Sequence, residues 1–160
     1  RSEEGAGTTF EILLPAVDVP ESEEQNRHAN EVLARGKERV LLVDDEAMIT
    51  EVGKAMLESL GYRVRIADSG KAAERLFRDS ADDIDLVIID LIMPGMGGKR
   101  CLENLIRINP DAKVVLVTGY SMDGYVRETI QKLSKGLIIK PYQAKQMLRY
   151  VREVLDSVHP

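Results

Sequence analysis

Four mainly apolar stretches of this 160-residue chain each stop at a side chain able to do chemistry. Arg39–Val43 stops at Asp44-Asp45, Leu86–Ile89 at Asp90, Val114–Val117 at Thr118, and Leu137–Ile139 at Lys140. Carboxylates gathered in one place repel, and each raises the pKa of the others unless a cation is present. With oxygen ligands alone and no His or Cys in the pattern, the natural cation is Mg²⁺. Mg²⁺ held by a few carboxylates typically takes a phosphate as a remaining ligand. A carboxylate can also be the nucleophile of phosphoryl transfer, forming an acyl phosphate. Lys140 and the metal would neutralise charge on the transferring group, and the Thr118 hydroxyl could hydrogen-bond one of its oxygens. The set describes an aspartate that takes up a phosphoryl group.

These residues can meet only if the elements carrying them lie side by side. From Lys37 onward strands and helices alternate five times. Glu46–Leu60 places Ile49, Val52, Met56 and Leu60 at helical spacing, and Gly61 supplies the stop. Tyr62–Ala67 alternates polar and apolar, so it is a strand with one wet face. Ser69 can cap a helix running to about Arg78. A third helix carries Cys101, Leu105 and Ile108 and ends at Asn109-Pro110. Val126, Ile130 and Leu133 mark a fourth, and Met147, Val151, Val154 and Val158 a fifth, starting at Gln143. Short links between strand and helix imply right-handed crossovers and a parallel sheet covered on both faces. The expected fold is α/β: a doubly wound five-stranded parallel sheet of flavodoxin-like order 2-1-3-4-5, with the alternating strand 62–67 at an edge. Ligands of such sheets bind beyond the carboxyl ends of the strands, where Asp44, Asp45, Asp90, Thr118 and Lys140 fall.

Composition narrows the alternatives. With 44% hydrophobic and 31% charged residues the chain is globular in character, and no apolar run approaches the ~20 residues of a membrane span. One cysteine, Cys101, excludes an internal disulfide or a Cys-cluster zinc site and fits a reducing compartment. The net charge of −5 sits entirely before Lys37, where eight acids face three arginines, and residues 37–160 balance to zero. Neither part has the basic excess that nucleic-acid binding needs. The chain begins at Arg1 without a methionine or signal peptide and is expected to be a piece of a longer protein.

Residues 37–158 resemble a response-regulator receiver domain of two-component signalling. The resemblance rests on Val40-Leu41-Leu42-Val43-Asp44-Asp45-Glu46, on Asp90-Leu91-Ile92-Met93-Pro94-Gly95-Met96-Gly97-Gly98, on Thr118-Gly119 and on Lys140-Pro141-Tyr142. It implies that Asp90 accepts the phosphoryl group while Asp44, Asp45, Asp90 and the backbone carbonyl of Ile92 bind Mg²⁺. It also implies that Lys140 and Thr118 contact the phosphoryl and that the Lys140–Pro141 bond is cis. In this family the threonine is paired with an aromatic residue three positions before the lysine; Leu137 stands there, which puts aromatic rotation as the switch in doubt. By the same resemblance Ile92 and Tyr120 would flank the path of a hydrolytic water, and neither can guide it, so self-dephosphorylation is expected to be slow.

Gly5-Ala6-Gly7-Thr8-Thr9-Phe10-Glu11-Ile12-Leu13-Leu14-Pro15 is similar to the last glycine box and closing strand of a histidine-kinase ATP-binding domain. The organisation this implies is a kinase remnant at 1–15 with a strand over Thr8–Leu14, an acidic linker at 16–36, helical over Ser22–Arg35 if anywhere, and the receiver at 37–160. The parent would be a hybrid sensor histidine kinase, with this part catalysing no more than its own aspartyl phosphorylation and slow dephosphorylation.

The expected function is phosphorelay: Asp90 takes a phosphoryl group from a phosphohistidine on a kinase dimerisation domain or a histidine phosphotransfer protein. The acyl phosphate then biases a surface around the fourth helix, fifth strand and fifth helix. No nucleic acid or membrane contact is expected, and the setting is cytoplasmic whether or not the parent is membrane-anchored. Two other functions compete: a receiver-shaped docking module that is never phosphorylated, and a phosphohydrolase. The second lacks a carboxylate two residues after Asp90, where Ile92 stands. Cys101 is expected to be a buried small hydrophobe, and His28 and His159 have no partner pattern.

Overall fold

The computed structural model describes residues 1–3, 5, 7–13, 34–119 and 132–157. Two compact units divide at Val32 and Leu33. The helices expected over Ser22–Arg35 and around Val126 and Ile130, and the Tyr120 position, lie outside the described residues, wholly or for the most part.

In the first unit β1 (Ser2–Glu3) and β2 (Gly7–Thr8) pair antiparallel, Ser2 opposite Thr8. This corrects the expected strand over Thr8–Leu14. Residues 9–13 belong to no strand, and Phe10, Ile12 and Leu13 are all at least 79% exposed. A strand needs a ladder partner for its backbone groups, and the turn around Gly5 supplies one for two residues alone.

The second unit has the expected alternation: β3 (Arg39–Val43), α1 (Ala47–Ser59), β4 (Arg63–Ala67), α2 (Gly70–Ser80), β5 (Leu86–Asp90), α3 (Gly97–Ile108), β6 (Val114–Thr118), β7 (Gly136–Ile139) and α4 (Ala144–Asp156). The five strands of this unit pair in parallel in the order β4-β3-β5-β6-β7, which is 2-1-3-4-5 counted from Arg39. The alternating strand β4 lies at an edge, with Arg63 and Arg65 exposed and Val64 and Ala67 buried. Gly61, at φ 97°, ends α1 in the left-handed region, and the Ser69 side chain caps α2 by accepting from Ala72 N–H at 3.3 Å.

Alternation along the strands splits the core in two. Leu41, Val43, Val87, Ile89, Val114 and Leu116 pack with α2 and α3 through Phe77, Leu102 and Leu105. Val40, Leu42, Leu86, Ile88, Val115, Val117 and Ile138 pack with α1 and α4 through Leu57, Met147 and Val151. Continued one step past Leu42, Ile88 and Ile138, that second set reaches Asp44, Asp90 and Lys140. The same two-residue period that builds the core therefore delivers three charged groups to one face of the sheet's rim. No helix among the described residues is long and apolar enough to cross a membrane.

Glu38, just before β3, bonds Arg152 of α4 at 2.8 Å, and Arg152 also holds Asp156 at 2.8 Å. Burial alone would raise the Glu38 pKa, but hydrogen bonds from its own and the Lys37 backbone amides and from Arg152 outweigh it and leave it below the ordinary value. The stability from this pair is thus present above the unfolded carboxyl's pKa and lost as pH falls through the lower folded one. Glu38→Gln is expected to cost about 1.5 kcal/mol in urea melts at pH 7, with the gap to the unsubstituted protein closing below the ordinary glutamate range. A gap that stays constant down to pH 3 would contradict this.

Candidate functional site

Asp44 follows β3, Asp90 ends β5, Thr118 ends β6 and Lys140 follows β7. The Lys140 ammonium joins two of these positions: its Nζ lies 2.9 Å from Asp90 Oδ2 and 3.4 Å from Asp44 Oδ2. Both carboxylates are buried, with Asp44 4% and Asp90 7% exposed. Their other oxygens accept main-chain hydrogen bonds, Asp44 Oδ1 from Glu46 N–H at 2.9 Å and Asp90 Oδ1 from Ile92 N–H at 3.1 Å. Each carboxylate is therefore held from two sides, by a charge and by an amide dipole. Burial alone would lower the Lys140 pKa, but bonding to Asp90 and the charges of Asp44 and Asp90 overcome that and raise it above the ordinary lysine value.

Main-chain contacts keep the rim in register. Lys140 N–H donates to Thr118 O at 2.7 Å, and Leu91 N–H to Val117 O at 2.8 Å. Thr118 is 1% exposed, one position past the Asp90–Val117 pairing. The Lys140–Pro141 bond is cis, as the resemblance implies. Leu137 is partly buried against the α2–α3 side of the core, and its N–H donates to Tyr150 Oη of α4 at 3.3 Å.

Asp45 does not join the cluster. Its side chain is exposed, and among the described residues no group of three or more His, Cys, Asp or Glu is gathered closely enough to hold a metal ion. One ammonium suffices for two carboxylates but not three. The expected convergence of three acids is thus realised here for Asp44 and Asp90. Ile92 is 57% exposed at the start of the loop into α3.

Sequence periodicity missed a second feature of the rim. A groove of about 540 Å³ runs from Lys140 between α1 and the start of α4, lined by Met48, Ile49, Val52, Met56, Tyr142 and Met147 among others. Met48 is 78% and Val52 56% exposed, so the helical stripe that includes Val52 faces this groove as much as the core, where Leu57 is fully buried. The signal was present in the sequence as an apolar arc on α1 (Met48, Ile49, Val52, Met56, Leu57) wider than a sheet-facing helix needs.

Comparison with known proteins identifies this arrangement. Residues 40–152 match the response regulator receiver domain family, and the chain belongs to it. The sensor kinase CckA of Brucella abortus is 34% identical over 98% of this chain, which spans just 17% of that kinase. The chemotaxis protein CheY of Bacillus subtilis is 29% identical over 74% of this chain and 98% of its own length. Among solved structures, the CheX–CheY–BeF3–Mg²⁺ complex from Borrelia burgdorferi superposes with a TM-score of 0.70 at 26% identity, covering 75% of this chain and 90% of that one. The domain therefore serves phosphorelay signal transduction through phosphorylation of an aspartate, in a family whose members generally bind Mg²⁺.

Lys140→Met removes the ammonium between two buried carboxylates. In EDTA the variant is expected to lose about 2 kcal/mol in urea melts, with saturating Mg²⁺ restoring much of the loss. Equal stability of the two proteins in EDTA would show that Lys140 does not hold the pair.

Proposed function

We propose that Asp90 is the phosphoacceptor, with Asp44, Asp45, Lys140 and Thr118 as its working partners. The observation that carries this is the bridge from Lys140 Nζ to the carboxylates of Asp90 and Asp44, three groups from three separate strands meeting in a buried pocket. An Asp90 oxygen attacks the phosphorus of a phosphohistidine; the P–N bond breaks as the O–P bond forms, and the released imidazole nitrogen is left to take a proton from solvent. Lys140 stays protonated and faces the charge on the arriving phosphoryl oxygens. The Thr118 hydroxyl is the partner for one of those oxygens once the acyl phosphate has formed.

The donor set fits Mg²⁺. Asp44, Asp45 and Asp90 against Lys140 leave two uncompensated negative charges, which one divalent cation neutralises, and all the donors are hard oxygens. Asp44, Asp45, Asp90 and the backbone carbonyl of Ile92 would hold the ion, which when bound screens nucleophile and phosphoryl group from each other. The Borrelia burgdorferi complex with BeF3 and Mg²⁺ supports this assignment.

The phosphodonor, on this proposal, is a histidine on a kinase dimerisation domain or a phosphotransfer protein, and it docks through the groove beside Lys140. Three methionines and a valine line this groove, and its wall includes Lys140, the partner of Asp90. The CckA alignment, running through residues 1–36 as well as the receiver, supports a hybrid sensor histidine kinase as the parent protein. With Leu137 in place of an aromatic, the phosphorylated state would act on α4 through the displacement of β7 and Lys140.

Acetyl phosphate with Mg²⁺ is expected to add one phosphoryl mass to the unsubstituted protein and none to Asp90→Asn. Equal gain in both would overturn the assignment, and no gain in either would favour an unphosphorylated docking module. Met48→Lys is expected to slow transfer from a phosphohistidine donor at least tenfold, with labelling by acetyl phosphate falling far less. Equal losses with both donors would place Met48 outside the docking surface. Once phosphorylated, Ile92→Asn is expected to lose its phosphoryl group faster than the unsubstituted protein by a factor on the order of ten, because an amide can guide water where an isoleucine cannot. Unchanged decay would contradict slow hydrolysis by default of a water guide.

A further inference from the structure

Asp90 is fixed at its carboxylate by Lys140 and by Ile92 N–H; its main chain is fixed from behind by a glycine. Gly98, in the first turn of α3, is buried directly against the end of β5. A β-carbon there would overlap the Asp90 carbonyl oxygen and lie 2.6 Å from Leu91 Cα and 2.9 Å from the Asp90 carbonyl carbon. All three are backbone atoms, so no side chain can rotate away to make room. The φ of Gly98 is not in the left-handed region, so its requirement is space and not conformation. Its N–H also donates to Leu91 O at 3.1 Å, closing the loop that carries Ile92.

A second glycine in the same helical layer gives the contrast. A β-carbon on Gly70, at the start of α2, would lie 3.2 Å from Met96 Cβ and Sδ and 3.3 Å from Cys101 Cβ. Two of these three neighbours belong to a methionine, the most adaptable of apolar side chains. A methyl at Gly70 asks Met96 and Cys101 to give by a few tenths of an ångström; at Gly98 it meets the backbone of residues 90 and 91 at distances no packing allows.

We propose that Gly98 is a positioning residue for aspartyl phosphorylation: the bare contact between α3 and the Asp90 carbonyl sets where the Asp90 carboxylate and the Ile92 carbonyl stand relative to Lys140 and Asp44. This rests on Asp90 being the phosphoacceptor. Room for a methyl must come from moving either the end of β5 or the start of α3. β5 is hydrogen-bonded on both sides up to Ile89, and beyond it on the β6 side alone, through the Asp90–Val117 pairing and Leu91 N–H to Val117 O. A displacement of about 1 Å there carries the 2.9 Å Lys140–Asp90 contact past hydrogen-bonding range, and misplacements of that size cost catalysis on the order of a hundredfold.

Gly98→Ala, Gly70→Ala and the unsubstituted protein are compared by melting, by amide spectra in EDTA, and by acetyl phosphate labelling at saturating Mg²⁺. Both variants are expected to melt lower. Gly98→Ala alone is expected to shift the Ile92 amide and the Lys140 ammonium resonances in the metal-free protein and to label at least thirtyfold more slowly, while Gly70→Ala labels within about threefold of the unsubstituted rate. If Gly98→Ala is too unstable alone, the comparison is made in sucrose with rates taken per folded molecule. Gly98→Ala labelling as fast as Gly70→Ala, with the Ile92 amide in place, would mean that α3 yields instead and would overturn the proposal. An unsubstituted protein that takes no phosphoryl group at Asp90 would remove the reading on which the proposal rests, a result distinct from the first.

Discussion

Two buried carboxylates sharing one ammonium constrain the rest of this domain. Asp44 and Asp90 are nearly sealed from water, and each would be costly to keep charged if Lys140 were not between them. That need fixes three strands relative to one another more tightly than apolar packing does, because Leu or Val can slide by a fraction of an ångström and an ion pair loses its hydrogen bond. The hydrogen bond from Lys140 N–H to Thr118 O and the one from Leu91 N–H to Val117 O supply that precision from the backbone. Two carboxylates against one ammonium leave the pocket net negative, the charge balance on which the proposed Mg²⁺ site rests.

The path from chain to site is short. Strand alternation assigns each apolar residue to one of two cores, and the residues one period beyond the α1–α4 core are the three that meet. Parallel order brings their strands together, since β3 and β5 are neighbours and β6 alone stands between β5 and β7. β7 is tied to α4 as well. Lys140 is three residues from Leu137, whose N–H is held by the Tyr150 hydroxyl of α4, and Gly136 leaves room for that ring.

Much of this was legible beforehand, and the reasons differ by residue. The apolar runs ending in Asp44, Asp90, Thr118 and Lys140 mark strand ends because polar groups cannot continue into a sheet covered on both faces. Ser69 and Gly61 mark helix ends by backbone chemistry that is local, and the wet face of 63–67 marks an edge. What escaped depends on neighbours distant in sequence. Asp45 is exposed beside a buried Asp44, a difference that two adjacent identical residues do not reveal. The strand over Thr8–Leu14 fails for want of a ladder partner, which no local pattern reveals. Val52 looked like core because its spacing is helical, although its face looks onto a groove made by Pro141, Tyr142 and Met147. Gly98 closes the Asp90–Gly98 stretch in the sequence, and its contact with Asp90 is visible in three dimensions alone.

One cation-binding pocket is expected where β3, β5 and β7 end. Paramagnetic broadening tests it with little perturbation: substoichiometric Mn²⁺ is added to ¹⁵N-labelled protein and the amides that vanish first are assigned. Residues 44–46 and 90–92 are expected to broaden together, with Lys140 close behind, and excess Mg²⁺ to restore them all. Broadening confined to the acidic stretch before Lys37, or spread evenly over surface carboxylates, would contradict it.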